Sequence, residues 1–275
     1  MYWKLIRINE WWMNVVIATL ASVFSGNTNV YLFLLIILST SCIWAFGFAV
    51  NDVFDAEFDK KKDNTRNPIS RGHIKKSDAF KVSIALAVVG IFSSFLLSFM
   101  SAFFFMLLFA LFFLYSAEPF RLKEKYPFDI VFHSLFMLIT FLAGYAAFRG
   151  IDTFSLLVSS LNLIPGAIGE ILQEIRDHNA DKLSGFSTSV MRIGVSKSIE
   201  AIKFLFVLEM FFSVYVAYAY FQRYFIILLS FVPFAKFLFF DNTKKGRYFD
   251  DAMRAANKCV AIFITILIIL VLLNM

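Results

Sequence analysis

The sequence has few of the residues that build a disulfide-stabilised or thiolate-metal protein. Only two of its 275 residues are cysteines. Cys42 and Cys259 both lie within apolar segments, and their spacing matches no metal-ligand pattern. The cysteines therefore indicate neither a disulfide framework nor a thiolate metal site, and packing among apolar neighbours is their expected role.

Charged residues are also scarce. They make up 17% of the chain, whereas 60% is hydrophobic and 37 residues are phenylalanine. Soluble globular domains are about half apolar, so this composition excludes an ordinary soluble protein and favours a lipid bilayer as the partner of its surface. An apolar helix of about 20 residues crosses a bilayer, and the chain is long enough for nine of them. We therefore predict an all-α, multi-pass membrane bundle formed by a single domain, residues 1–275.

Nine apolar runs are candidate transmembrane helices. They cover residues 11–26, 30–54, 79–99, 101–118, 128–148, 153–174, 197–220, 223–240 and 254–274. The chain begins with Met1-Tyr2-Trp3-Lys4 and does not show the charged, apolar and small-residue regions of a signal peptide. We therefore expect the first span to stay in the protein as its own anchor.

Basic residues are distributed unevenly among the loops. Of the 26 lysines and arginines, only Arg149 and Arg223 fall in the connections after the first, third, fifth and seventh spans. Lysine and arginine collect in cytoplasmic loops, so nine spans with a cytoplasmic N-terminus explain the pattern. The net charge of +6 then needs no nucleic-acid partner. We expect a cell-membrane protein whose site lies on the cytoplasmic side, where the loops are long and polar.

An acidic motif ends the second span. Asn51, Asp55 and Asp59 are four residues apart and share one face of a helix. Carboxylate and amide oxygens suit a hard cation such as magnesium, and an ion would relieve the repulsion between stacked like charges. A solvated helix end is the simpler alternative for this motif taken alone.

A second acidic motif ends the sixth span. Glu170, Glu174, Asp177 and Asp181 step by four, three and four residues and therefore also share a helical face. Ionisable residues within apolar segments are costly and usually functional. By the predicted topology both motifs lie on the cytoplasmic side, so together they predict a site for two or more divalent ions, with positions open to substrate phosphates.

Basic and hydroxyl side chains follow the acidic helices. Arg66 and Arg71 lie in the loop after the second span, and Tyr115 and Lys123 lie at the end of the fourth. Arginine and lysine bind phosphate oxygens, and a tyrosine hydroxyl can donate a hydrogen bond to one. The alternative is that these cations only set the topology of the chain.

Four ordered motifs resemble those of the UbiA superfamily of membrane prenyltransferases. Residues 51–59 match its NDxxDxxxD signature, and residues 66–72 are similar to its Arg-Pro loop. Residues 115–123 resemble its YSxPxRLK-type element, and residues 174–181 resemble its second aspartate motif. The chain departs from many relatives in having glutamate rather than aspartate at Glu174. The resemblance covers essentially the whole chain.

This resemblance implies magnesium-dependent transfer of a polyprenyl group from its diphosphate to a lipophilic acceptor. It implies catalytic roles for Asp55, Asp177, Lys123 and Arg66. Binding of the diphosphate is implied for Arg66, Arg71, Tyr115 and Lys123. Ligation of Mg2+ is implied for Asn51, Asp55, Asp59, Glu174, Asp177 and Asp181.

The sequence does not decide which acceptor receives the polyprenyl group. Several motif details are similar to the branch of the family that makes archaeal ether lipids by geranylgeranyl transfer to geranylgeranylglyceryl phosphate. An aromatic or quinone precursor and a carotenoid-like chain are the alternatives. Outside this class, an ion-coupled secondary transporter could use the same acidic columns, although such sites usually lie near the bilayer midplane. A phospholipid-type transferase is disfavoured because its longer Asp-Gly to Ala-Arg pattern is not found.

Overall fold

A computed structural model describes residues 2–61 and 66–221. The chain divides into two compact units, residues 1–166 and residues from 167 onward. The predicted spans 223–240 and 254–274 lie outside the described residues. A single domain over residues 1–275 therefore stays a prediction.

Helices make up all the regular structure of the described residues, which contain no β-strand. The helices are α1 (Tyr2–Ile6), α2 (Ile8–Phe24), α3 (Val30–Lys61), α4 (Lys76–Phe95), α5 (Phe99–Ser116), the 3₁₀ helix η1 (Leu122–Glu124), α6 (Phe128–Tyr145), α7 (Thr153–Leu161), α8 (Leu163–Ser184), α9 (Ser189–Ile193) and α10 (Val195–Phe221). The predicted all-α class is thus confirmed for this part of the chain.

Within the part of the chain that the structure describes, five helical segments are long and apolar enough to cross a membrane. They are Val30–Lys60, Lys76–Phe95, Phe99–Ser116, Phe128–Ala146 and Thr153–Asn179. Each coincides with a predicted span to within a few residues at its start, and the chain is a multi-pass membrane protein. The count of nine spans and the cytoplasmic N-terminus stay predictions.

Helix α3 is longer than the apolar run that predicts it. The run ends near residue 54, whereas the helix continues to Lys61. No glycine or proline interrupts residues 55–61, so nothing breaks the backbone hydrogen-bond ladder where the side chains become polar. The acidic motif therefore forms the last turns of a helix, as its spacing predicts.

The sixth predicted span, residues 153–174, is two helices rather than one. Helix α7 ends at Leu161 and is capped by Asn162, whose side-chain amide donates to the carbonyl oxygen of Val158 at 3.0 Å. Helix α8 begins at the next residue, with Pro165 in its first turn. Proline has no N–H to donate to the carbonyl of Leu161 but is tolerated at a helix start, so the backbone restarts here.

The core of the first unit is aromatic. The ring of Trp44 packs edge-on against Phe112 at 5.1 Å, and Phe112 lies 4.2 Å from Phe136 between ring centroids. The indole N–H of Trp44 donates to the hydroxyl of Thr140 at 3.0 Å, which satisfies the only polar atom of the buried ring. This cluster joins α3, α5 and α6 beneath the polar end of α3.

Helices α2 and α6 approach closely at Gly144. A Cβ atom placed on Gly144 would lie 2.1 Å from the carbonyl oxygen of Ala18. The contact is with backbone, which cannot rotate away as a side chain can. Small residues commonly permit such close helix contacts in membranes.

We expect Gly144→Ala to lower the free energy of unfolding by roughly 1–3 kcal/mol, because the added methyl forces the two backbones apart. Thermal unfolding in detergent measures the effect. Gly150→Ala is the matched control, since a Cβ there meets nothing within 4 Å. Equal melting temperatures for the two variants would show that α2 and α6 can separate without cost.

Candidate functional site

The acidic end of α3 meets a lysine from the loop after α5. The Nζ atom of Lys123 donates to Oδ1 of Asn51 at 2.6 Å and also to Oδ2 of Asp55. The hydroxyl of Ser116 donates to the same Oδ1 of Asn51 at 3.2 Å. Residues from the first and third sequence motifs are thus brought together, as the predicted site requires.

A second cation holds Asp55 from the other side. Arg121 donates through Nη2 to Oδ1 of Asp55 at 3.1 Å and through Nε to Glu124 at 2.7 Å. Its guanidinium also covers the ring of Phe58, with the central carbon 4.6 Å from the ring centroid. Burial alone would lower the pKa of Arg121, but its hydrogen bond to Glu124 and the charge of Asp55 raise that pKa above its ordinary value. The side chain therefore stays cationic.

Two arginines that contact the acidic end of α3 have left-handed backbone conformations. Arg121 has φ 40° and Arg7 has φ 54°, in a region that non-glycine residues rarely adopt. Arg7 donates to the buried Asp52 at 3.1 Å and covers the ring of Phe48 at 5.1 Å. Backbone strain of this kind persists only where surrounding contacts hold it, and here each arginine is held by a carboxylate of α3.

The loop after α3 returns to the acidic motif through Asn67. This residue is 1% exposed. Its amide nitrogen donates to the carbonyl oxygen of Asp52 and to Oδ2 of Asp59, each at 2.8 Å. Its own Oδ1 accepts from the backbone N–H of Ile69 at 2.9 Å. The side chain thereby ties the loop to both ends of the acidic motif.

The other predicted phosphate-binding residues are Arg66, Tyr115 and Arg71. Arg66 pairs with Glu10 of α2 at 3.8 Å. The ring of Tyr115 packs edge-on against Phe136 at 5.3 Å. Arg71 is exposed on the surface of its loop. Lys123, the fourth of these residues, contacts the acidic end of α3 at Asn51 and Asp55.

In the second unit, the residues of the second acidic motif lie on helix α8. Glu170, Glu174 and Asp181 are buried. Oδ1 and Oδ2 of Asp177 accept from Nε and Nη2 of Arg176, both at 2.9 Å.

Glu174 has a structural contact that the sequence does not indicate. Its Oε2 accepts the backbone N–H of Val190 at 2.7 Å. Val190 lies in the first turn of α9, whose N–H groups have no partner within the helix. The carboxylate therefore caps α9, a role that glutamate, one methylene longer than aspartate, can reach across a turn.

The oxygens at the end of α3 suit a divalent ion. Among residues 2–61 and 66–221, no three Asp, Glu, His or Cys side chains converge on one point. However, Oδ1 of Asn51 and Oδ2 of Asp55 already converge on one cationic atom, the Nζ of Lys123. Magnesium binds proteins through one or two such oxygens and leaves its other positions to water and phosphate. This pair therefore fits Mg2+ in chemistry and in position.

Sequence reasoning missed three residues of this site. Arg121 stands in the quoted third motif, two residues before Lys123, so the motif itself was the available signal. Arg7 and Asn67 gave no such signal. Arg7 is 45 positions from Asp52, and only the packing of α1 and α2 against α3 brings them together.

Comparison with known proteins gives one consistent result. The model of the UbiA prenyltransferase family matches residues 12–271. The chain is 31% identical to digeranylgeranylglyceryl phosphate synthase of Saccharolobus solfataricus over 242 residues, which cover 85% of this chain and 83% of the relative. It is 30% identical to the protein of the same name from Sulfurisphaera tokodaii over 205 residues, covering 72% of this chain and 71% of the relative.

A solved structure shares the fold. The structure of a UbiA homologue from Archaeoglobus fulgidus bound to GPP and Mg2+ superposes with a TM-score of 0.75 at 16% sequence identity. The superposition covers 95% of this chain and 99% of that one. The helical architecture therefore extends well beyond the sequence motifs.

Proposed function

The chain belongs to the UbiA prenyltransferase family, and we propose that it transfers a geranylgeranyl group from its diphosphate to geranylgeranylglyceryl phosphate in ether-lipid synthesis. It is a prenyltransferase by family. The substrates are taken from the name shared by two archaeal relatives, each of which it matches over more than two thirds of both chains.

One observation supports the reaction more than any other. Two cations, Lys123 and Arg121, meet the acidic motif of α3 at Asp55. A diphosphate needs cations to neutralise its charge, and both cations already pair with a carboxylate whose side chain is 19% exposed. A site that already contains both signs of charge can exchange these partners when substrate enters.

The reaction breaks the bond between C1 of the prenyl group and the diphosphate oxygen. It forms an ether bond between that carbon and the acceptor hydroxyl oxygen, and it releases diphosphate and a proton. We assign Lys123 to donating hydrogen bonds to the departing diphosphate, where developing negative charge is stabilised most. Arg121 keeps Asp55 in place from the opposite side.

Mg2+ supplies charge neutralisation of the leaving group when it is bound. We assign Asn51, Asp55 and Asp59 of α3 to holding the ion. Asp177 and Asp181 of α8 are proposed as ligands in the second unit. Because Glu174 is engaged with the N–H of Val190, we keep it as a ligand only through its other oxygen.

We propose the cell membrane as the location and the cytoplasm as the side that the acidic motifs face. The distribution of lysine and arginine supports this, since only two of the 26 fall in the opposite loops. Both substrates have long apolar tails, which the apolar helices α3 to α6 can accommodate while the charged heads stay at the membrane surface.

The test is direct. Purified protein in lipid nanodiscs is incubated with geranylgeranyl diphosphate, Mg2+ and a panel of acceptors, and products are identified by mass spectrometry. We expect the mass of geranylgeranylglyceryl phosphate to increase by one geranylgeranyl group, and this increase to disappear with EDTA. Transfer only to an aromatic, quinone or carotenoid acceptor would replace the proposed acceptor with that one.

A separate flux experiment distinguishes the transporter alternative from prenyl transfer. Proteoliposomes prepared from the protein are tested for uptake of radiolabelled ions under an imposed proton or sodium gradient. We expect no gradient-driven flux above that of empty liposomes. Flux without prenyl transfer would contradict the proposed function altogether.

A further inference from the structure

Resting on the proposed function, we propose that Asn67 is a positioning residue that holds Asp59 in place as a ligand for the divalent ion. Asn67 belongs to the loop after α3, where the sequence analysis singled out only arginines. Its side chain lies between the two ends of the acidic motif rather than at the protein surface.

Both the nitrogen and the oxygen of the Asn67 side-chain amide form hydrogen bonds. Both donated bonds, to the Asp52 carbonyl and to Oδ2 of Asp59, measure 2.8 Å. The oxygen accepts from the N–H of Ile69 at 2.9 Å. A side chain that is 1% exposed and bonded at three points is held in one orientation, so it offers Oδ2 of Asp59 a hydrogen-bond donor at a fixed position.

Burial of the rest of the loop supports this orientation. Ile69 and Ile74 pack with Ala49 and Val53 of α3 in a common apolar cluster. The loop backbone is therefore anchored on α3 on both sides of its turn. Asn67 lies two residues before Ile69, the nearer of these two anchors, and a residue next to anchored backbone is well placed to orient another side chain.

The chemistry of the donor matters as much as its position. The bond from Asn67 to Asp59 comes from a neutral amide. A neutral donor orients a carboxylate without compensating its charge, and that charge attracts a divalent ion. Partners of this kind, behind a metal ligand, commonly change metal affinity by about 10–100-fold when they are removed.

Ser70 provides a matched control. Its hydroxyl donates to the backbone carbonyl of Asn67 at 2.9 Å, so Ser70→Ala removes a hydrogen bond from the same turn and changes neither side chain of the Asn67–Asp59 pair. A purely structural role for Asn67 predicts that Asn67→Ala and Ser70→Ala differ only in stability. The proposed role predicts that they differ in affinity for the ion.

The test measures binding of Mn2+ to the full-length protein in nanodiscs by electron paramagnetic resonance, with no substrate present. We expect Asn67→Ala to weaken Mn2+ binding by about 10-fold and Ser70→Ala to change it less than twofold. If Asn67→Ala does not accumulate as folded protein, Asn67→Ser, whose shorter side chain reaches Asp59 less well, is expected to weaken binding in the same direction. Unchanged Mn2+ binding in a folded Asn67 variant overturns the proposal.

A double-mutant cycle shows whether Asn67 acts through Asp59. In an Asp59→Asn background, Asn67→Ala is expected to have no further effect on Mn2+ binding, because the ligand that it positions is already lost. Independent, multiplicative effects would contradict the assignment. The two proposals can fail separately. If the wild type binds Mn2+ and the variants show this pattern, but the wild type transfers no prenyl group, the proposed function is refuted and the role of Asn67 is still supported.

Discussion

Asp55→Ala is expected to reduce prenyl transfer by at least about 10³-fold while the protein still folds and inserts. Asp55 lies where the acidic motif, Lys123 and Arg121 meet. Its removal takes away an ion ligand and the group that holds both cations beside the diphosphate. Single-turnover assays with labelled geranylgeranyl diphosphate measure the loss, and size-exclusion chromatography with thermal unfolding reports folding.

Folding should survive the change because neither cation loses its last partner. Arg121 keeps Glu124, and Lys123 keeps Asn51. Asp55→Asn is the sharper variant, since it retains the shape and an acceptor oxygen and removes only the charge. Glu57→Ala is the control, because Glu57 has the same charge on the same helix but is exposed. We expect near-normal transfer by the Glu57 variant.

The second motif is expected to behave in the same way. Asp177→Ala should abolish transfer without loss of folded protein, because the Asp177 side chain is 41% exposed and its carboxylate pairs with the neighbouring Arg176. Near-normal turnover in both aspartate variants would show that the acidic motifs are solvated helix ends and that the site assignment is wrong.

Much of the fold was predictable from the sequence because a bilayer imposes a simple rule. Long apolar runs must form helices there, and helices α3 to α6 follow the predicted runs closely. The sixth predicted span also coincides with an apolar helical segment, but hydropathy does not register that this segment consists of two helices. Asn162 and Pro165 end one helix and start another within a continuously apolar segment.

The acidic motifs were predictable because they are local. Spacing by three and four residues places side chains on one helical face whatever the tertiary structure is. The family resemblance drawn from four such motifs is confirmed by the match of the UbiA family over residues 12–271. Contacts between motifs could not be predicted in this way. Lys123 and Asn51 are 72 positions apart, and only the folded structure shows that they pair.

Residues whose role depends on a contact with a distant part of the chain were the hardest to assign. Asn67 looks like an ordinary turn residue before a proline, and its burial against Asp59 has no counterpart in composition or periodicity. Glu174 looked like a ligand because of its spacing on α8. The sequence could not show that the N–H of Val190, sixteen positions away, would engage one of its oxygens.

Lys123→Met is expected to have opposite effects on catalysis and on ion binding. Transfer should fall by about 10²-fold or more, since one charged donor to the departing diphosphate is lost. Affinity for Mn2+ in the absence of substrate should instead rise. Both quantities can be measured in the same nanodisc preparation, by mass spectrometry of product and by electron paramagnetic resonance of the ion.

The rise in affinity follows from the contacts of the ammonium group. Nζ of Lys123 is bonded to Oδ1 of Asn51 and Oδ2 of Asp55, the two oxygens assigned to the ion. A divalent ion and an ammonium repel each other strongly at such distances, the more so where Lys123 is only 13% exposed. They therefore compete for these oxygens, and methionine fills the space of the lysine stem without competing.

Lys125→Met is the control that separates competition from a general loss of positive charge. Lys125 lies two residues further along the same loop and is exposed, so the substitution changes the net charge equally and leaves both oxygens bonded to Lys123. We expect its transfer rate and Mn2+ affinity to match those of the wild type. If Lys123→Met weakened Mn2+ binding, the lysine would be a support for the ion and not its competitor. The diphosphate would then have to be bound by other cations, with Arg121 the nearest to Asp55.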